Sequence, residues 1–473
     1  MMKLNREFFL DRVHACWTGK NIGGTMGTPY EGRTEMQNIS GFASAKGEPL
    51  PNDDLDLQLV WLCAVEERGI RSVTPQLLGE YWLDYIPPHW NEYGVGKGNM
   101  KLGLLPPFSG EFNNNKWKTS NGAWIRTEIW ACLFPGFPDL AVRYAYNDAC
   151  VDHGLSEGTY AAMFVAAMES AAFFENDIRK LIDLGLSYIP EDCLLAKSVK
   201  LAIELYDKKT DFVEARNAIV EASAELGWFQ APANVSFVIL GLLYGEGDFK
   251  KSMIYAINCG DDTDCTGATI GALMGIMNGT SFIPEDWAEY IGDKIVSVAI
   301  DRSYSYFPRD CTELTQRVYE LVPSTIKAYE LYLEYTDGET ERDIIPDSER
   351  VWKRLFDFEI PRTGLSFNLP DMIYAKGRVE FDRDRISEGE TVKLTFVITD
   401  VMSEHKEIFI NLMLPEGWSA DRKNLSLAIY GDTKEVSVNI TAGENVKPIN
   451  KVYAELTAPG RLADIVAPII IHG

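Results

Sequence analysis

Positive charge is what this chain has least of: 45 lysines and arginines stand against 70 aspartates and glutamates, a formal charge of −25. With no basic excess to meet phosphates, nucleic-acid binding is excluded as a main function. The acidity bears on solubility rather than on fold. Cysteine is sparse and unpatterned, with eight residues between positions 16 and 311 and no C-x-x-C pair. That argues against a disulfide framework or a zinc ribbon and for reduced thiols, so a cytoplasmic location is expected. No apolar run is long enough to span a bilayer, and the first 17 residues are amphipathic and charged, without the apolar core of a secretion signal. Internal repeats and low-complexity tracts are also missing.

What is present suggests two or three domains, since 473 residues exceed one ordinary domain and 46% of them are hydrophobic. Helical periodicity runs from the start to about residue 335. Residues 336–375 are polar and charged and read as a linker. From 376 to 473 the segments are short and alternate apolar with polar: 392–399, 407–414, 435–441 and 451–457. Turn signals such as Pro415-Glu416-Gly417 separate them. This pattern predicts an antiparallel β-sandwich of immunoglobulin-like type. The fold class expected is therefore mainly α, a helical bundle at 1–335 followed by the sandwich.

Two acidic clusters stand out in the helical part. In Asn258-Cys259-Gly260-Asp261-Asp262-Thr263-Asp264-Cys265, three carboxylates fall within four residues. Gly267, Ala268, Gly271, Ala272 and Gly275 then follow at helical spacing, a face that lets another backbone approach closely. Far upstream, Asn52 is a good N-cap for Asp53 and Asp54, and Leu55, Leu59 and Leu62 form one apolar face behind them. Either cluster alone is explained by acids favouring the positive end of a helix. Two carboxylates about 4 Å apart in a protein repel by roughly 4 kcal/mol. If two such helix mouths faced each other they would form an all-oxygen site for a hard divalent cation.

Other stretches leave alternatives open. Gly19 to Gly32 is glycine-spaced and closed by Pro29 and Glu31, but no G-K-[ST] follows to make it a phosphate loop. Residues 81–93 are aromatic-rich and lead into Gly94-Val95-Gly96-Lys97-Gly98, which could stack a base and hold a diphosphate or simply be a packed loop. Asn121-Gly122 with Arg126 opens a further helical stretch. His153 precedes an alanine-rich helix, where a cap or core role competes with a functional one.

In this order, these pieces resemble the ADP-ribosylglycohydrolase family over about residues 8–300. The resemblance implies a helical bundle with a binuclear Mg²⁺ site, Mn²⁺ or Ca²⁺ being alternatives. The implied ligands are Asn52, Asp53, Asp54, Asp262, Asp264 and Cys265. Glu31 and Asp54 are implied as catalytic, and Gly94, Gly96, Asn121 and His153 as substrate-binding. The implied reaction is hydrolysis of a ribosyl glycosidic bond in an ADP-ribosylated protein or small ADP-ribose conjugate. The chain departs from the family's pattern at four places. Asn52 replaces Thr or Ser, Leu55 replaces Thr, Gly24 replaces Asp, and Cys265 replaces Thr. A soft thiol is a poor partner for Mg²⁺. Two other readings stand beside it: a hydrolase of another furanoside or glycoside, marked by the altered ligands and the added sandwich, and an inactive member with a binding role, against which Asp53, Asp54, Asp262 and Asp264 speak.

Overall fold

The computed structural model describes residues 2–473 apart from 302, 304, 305, 330, 341–360, 371 and 462–464. The chain is a helical bundle followed by two packed antiparallel sheets, as expected. It opens on a short strand, Met2–Asn5, before the helix begins. This strand runs parallel to Leu333–Thr336, so the two ends of the helical part are hydrogen-bonded together. Asn5 then caps the first helix, Arg6–Gly27, by accepting from Phe8 N–H at 2.8 Å.

That helix includes the first glycine segment and packs along its length on the helix Thr263–Asn278. The glycine face has a direct steric cause. A Cβ at Gly19 would lie 2.1 Å from the Gly271 carbonyl oxygen, and one at Gly23 only 2.0 Å from that of Gly267. Only backbone meets backbone there. The two helices therefore run closer than side chains would allow, and their ends are held in register.

Behind the bundle, one sheet orders its strands Ser366–Asn368, Ala375–Phe381, Thr391–Asp400, Thr433–Thr441, Ser419–Ala420. The other orders Ile465–His472, Ile449–Thr457, Lys406–Met413, Asn424–Ile429. Val392, Leu394, Phe396 and Ile398 alternate inward on the third strand and are fully buried with Ile408, Ile410, Val452 and Ala454 opposite. Ser366–Asn368 belongs to this sandwich although it falls in the stretch read as linker, and residues 341–360 of that stretch lie outside the described ones.

The sandwich core continues into the bundle. Phe108 stacks on Phe381 at 5.7 Å and tilts against Phe367 at 5.3 Å, and Phe112 stacks on His472 at 4.2 Å. All eight cysteines are buried and free. Among the described residues, no helix is long and apolar enough to cross a membrane.

Candidate active site

The glycine seam brings the acidic loop to the end of the first helix. Thr263 Oγ1 donates to the Gly27 carbonyl at 2.8 Å, and the next residues cross back to the loop. Gly32 N–H donates to Asp261 O at 2.8 Å, and Asp261 N–H to Arg33 O at 2.7 Å. Glu31 is thereby held close to Asp262 and Asp264. Asp261 has φ +68°, a left-handed conformation unusual for aspartate. Its carboxylate turns away from the other acids to accept from Phe229 N–H at 2.8 Å and Asn234 Nδ2 at 3.3 Å.

The upstream cluster forms as its sequence predicts. Asn52 Oδ1 accepts from Asp54 N–H at 2.7 Å and starts the helix Asp53–Arg68, which ends at Gly69. Asp56 ties this mouth to the segment beyond residue 295 by accepting from Val298 and Ala299 N–H at 2.6 and 2.7 Å.

The two mouths meet. Ligand-capable atoms of Glu31, Asp262 and Asp264 lie within 4.8 Å of one another, as do those of Asp54, Asp264 and Cys265. The first group forms the floor of an open cleft of about 300 Å³, walled by Asp53, Trp90, Tyr93, Gly122, Ile125 and Phe229. None of its lining residues comes from the sandwich. Like charges and burial show in the titration of these groups. Asp264's charge, with burial and Asp53, raises Glu31 to about 8 although its side chain reaches solvent. Burial raises Asp264 to about 6 and Asp262 well above the carboxylate range, with Asp264 and Glu31 adding to the latter.

Each residue expected at the site now has a place. Asp53, Asp262, Asp264 and Cys265 line the cleft, with Tyr93 donating to Asp53 Oδ2 at 2.9 Å. Asp54 is fully buried behind it, where Oδ1 accepts from the Cys265 thiol at 3.5 Å. Burial first, then four surrounding aspartates, keep Cys265 protonated. Asn52 uses its amide oxygen as the helix cap, and its amide nitrogen fills the space at Gly24, where a Cβ would lie 1.8 Å from it. Asn121 is fully buried and donates to Asp262 Oδ2 at 2.7 Å, so it orients a carboxylate of the floor.

Two expectations need correction. Gly94 and Gly96 lie in a helix, Asn91–Lys101, and not in a loop. Their missing side chains allow close packing: a Cβ at Gly94 would lie 2.6 Å from His89 O, and one at Gly96 would lie 3.1 Å from Asp152 Cα. Lys97, on the same helix, donates to the carbonyls of Ile86, Pro87 and Pro88, pinning the Pro-Pro turn. His153 is fully buried away from the cleft lining, between Asp152 at 2.9 Å and Ser120 at 3.2 Å.

The motif reading missed a buried ionic layer beneath the floor. Lys20 Nζ lies 2.6 Å from Glu128 Oε1 and 4.0 Å from Asp54 Oδ2, with all three side chains fully enclosed. Burial opposes Lys20's charge, but Glu128 and Asp54 outweigh it and raise its pKa. Gln58 donates to Glu128 Oε2 and to Asp54 O, both at 2.8 Å. Nearby, Arg126 joins Asp148 at 2.9 Å and Asp152 at 2.8 Å. The one available signal was a lysine inside a glycine-rich, otherwise buried helix face.

The donor set can be tested against a cation. Asp262 Oδ1 and Asp264 Oδ1 are buried without a hydrogen-bond partner, which is costly for a carboxylate unless a cation satisfies it. With Glu31 they offer oxygen only and fit one hard divalent ion. The second group brings the soft donor Cys265 and does not match a hard ion in the same way.

Fold and site together define a class: a helical protein with a carboxylate-floored cleft and a β-sandwich packed on the bundle away from it. The chain belongs to the ADP-ribosylglycohydrolase family, whose sequence profile matches residues 5–323. An uncharacterized protein of Archaeoglobus fulgidus is 26% identical over 301 residues, covering 60% of this chain and 92% of that protein. ADP-ribosylhydrolase ARH3 of Bos taurus is 21% identical over 324 residues, covering 59% of this chain and 88% of its own. A solved structure titled ADP-ribosylglycohydrolase-related protein complex is similar at a TM-score of 0.46 and 19% identity, covering 67% of this chain and 99% of that one.

Proposed function

We propose that this protein hydrolyses the ribosyl glycosidic bond of an ADP-ribosylated protein or a small ADP-ribose conjugate, with a hard divalent cation, Mg²⁺ foremost, held by Glu31, Asp262 and Asp264. The observation that carries this reading is the pair of buried, unpartnered oxygens, Asp262 Oδ1 and Asp264 Oδ1, beneath an open cleft. When bound, such an ion supplies positive charge to fix ribose hydroxyls and to make an attacking water more acidic.

The chain's own residues supply the rest. Glu31 stands at the solvent-reaching mouth, where its carboxylate can take a proton from water as an oxocarbenium-like state develops. Asp54, the other candidate for that task, is enclosed behind the floor. Asn121 and Tyr93 hold Asp262 and Asp53 in place by hydrogen bonds of 2.7 and 2.9 Å. Trp90 is 44% exposed and stacks on Tyr93 at 6.1 Å, and with Phe229 it gives the cleft aromatic walls for a base or sugar face.

The test is a substrate panel of ADP-ribosyl-arginine, ADP-ribosyl-serine, O-acetyl-ADP-ribose and simple glycosides. The expected result is release of ADP-ribose from at least one conjugate, abolished by chelation, restored by Mg²⁺ and lost in Asp262→Asn. Turnover of simple glycosides alone would favour a different furanoside or glycoside, a reading to which the substitutions at Asn52 and Cys265 lend weight. Metal binding without any turnover would point to a binding role and overturn the proposal.

A further inference from the structure

We propose that this centre takes one divalent cation, and that the Lys20 ammonium stands in for a second. The inference rests on the metal-dependent reading above and adds the stoichiometry. The first ligand group, Glu31, Asp262 and Asp264, is all oxygen and open to the cleft. The second group shares Asp264 with the first, so the carboxylate and thiol donors it adds, among the described residues, are Asp54 and Cys265.

Cys265 and one oxygen of Asp54 are already engaged with each other, and the other oxygen, Asp54 Oδ2, makes no hydrogen bond and has the Lys20 ammonium as its charge partner. The Cys265 thiol donates to Asp54 Oδ1 at 3.5 Å, and Lys20 Nζ faces Asp54 Oδ2 at 4.0 Å. A second hard ion in this group would meet the thiol among its ligands, which such ions bind poorly. It would also sit beside a fixed ammonium, and like charges repel strongly where water is excluded. Lys20 cannot swing away, because it is fully buried and held at 2.6 Å by Glu128, which Gln58 holds in turn at 2.8 Å. The chain thus carries a positive charge of its own against Asp54.

The test is titration of the metal-stripped chain with Mn²⁺, followed by calorimetry and electron paramagnetic resonance. The expected result is one Mn²⁺ per chain with the spectrum of an isolated ion. Two ions with a spin-coupled spectrum would overturn this inference and leave the proposed function standing. No bound ion would instead overturn the metal-dependent reading beneath it. Cys265→Thr alone should still bind one ion, because Lys20 remains, whereas Lys20→Met combined with Cys265→Thr should bind two. A second ion in Cys265→Thr alone would refute the part assigned to Lys20. Should Lys20→Met fail to fold with Glu128 left unpaired, adding Glu128→Gln removes that charge and carries the same comparison. The wild-type stoichiometry decides the inference in any case.

Discussion

Thr263 Oγ1 donates to the Gly27 carbonyl at 2.8 Å, joining residues 236 positions apart. The first residue of one helix thus rests on the last residue of another, and the acids on either side of that contact become neighbours. Glu31 follows Gly27 by one short turn, Thr28–Tyr30, and Asp264 follows Thr263 directly. The site therefore depends on how closely those two helices run, which glycine decides.

Gly23→Ala tests that closeness. Its Cβ would fall 2.0 Å from Gly267 O, a backbone atom that cannot rotate away. Urea unfolding should show a loss of about 1–3 kcal/mol or more, typical of overpacking, and Mg²⁺ affinity should fall with it as the seam widens. An unchanged midpoint would mean the seam has slack.

Glu31→Gln tests the chemistry. Glu31 reaches solvent at the cleft mouth, so circular dichroism and the melting temperature in chelator should stay near wild type. With the cation site saturated by Mg²⁺, turnover should drop by about 10²–10⁴-fold, the usual worth of a positioned general base. Undiminished turnover would assign the proton to another group.

Cation binding should appear as stability. An ion that binds only the folded chain adds about 2.7 kcal/mol at a free concentration one hundred times its dissociation constant. The melting temperature should rise with Mg²⁺ in wild type and stay flat in Asp264→Asn, whose wild-type Oδ1 has no other partner. Equal rises in both would place the ion elsewhere.

Arg126 offers a purely structural control. Its guanidinium is fully buried between Asp148 and Asp152 and lies over the Trp82 ring at 5.0 Å. Arg126→Met leaves both carboxylates enclosed without their counter-charge and should cost about 3–5 kcal/mol. Differential scanning calorimetry would read the loss. A change within error would mean that water reaches the pair.

Asp139 predicts a pH dependence away from the cleft. Burial raises its pKa to about 6, against the opposing hydrogen bond from Tyr188. The unfolded value lies near 4. The folded state therefore favours the protonated acid, so this group's contribution is most favourable below about pH 4, shrinks as pH climbs to about 6 and is constant above that. Asp139→Asn cannot ionise. Its melting temperature relative to wild type should rise between those pH values and then level off; a difference independent of pH would contradict the shift.

Much of the architecture was legible because periodicity records burial. The strands Thr391–Asp400, Lys406–Met413, Thr433–Thr441 and Ile449–Thr457 all alternate, and each was anticipated to within two residues. Ser366–Asn368 was not, being three residues long, and Ile465–His472 is apolar through its second half, with Ile469 to Ile471 all buried. The Asn91–Lys101 helix was hidden because glycines at that spacing read as a loop until a neighbouring backbone is known to lie against them.

At the site the division is different. Residue order alone was enough to mark Asn52-Asp53-Asp54 and Asp261-Asp262-Thr263-Asp264 as helix mouths rich in acid, because capping and dipole effects act within one turn. Which carboxylate faces the cleft, which lies behind it and which turns away was settled only by packing, as Asp264, Asp54 and Asp261 show in turn. Lys20 and Glu128 meet across 108 positions, and no local pattern announces such a pair. The physical reason is that a charge's role depends on what surrounds it in space, and only the folded chain brings those surroundings together.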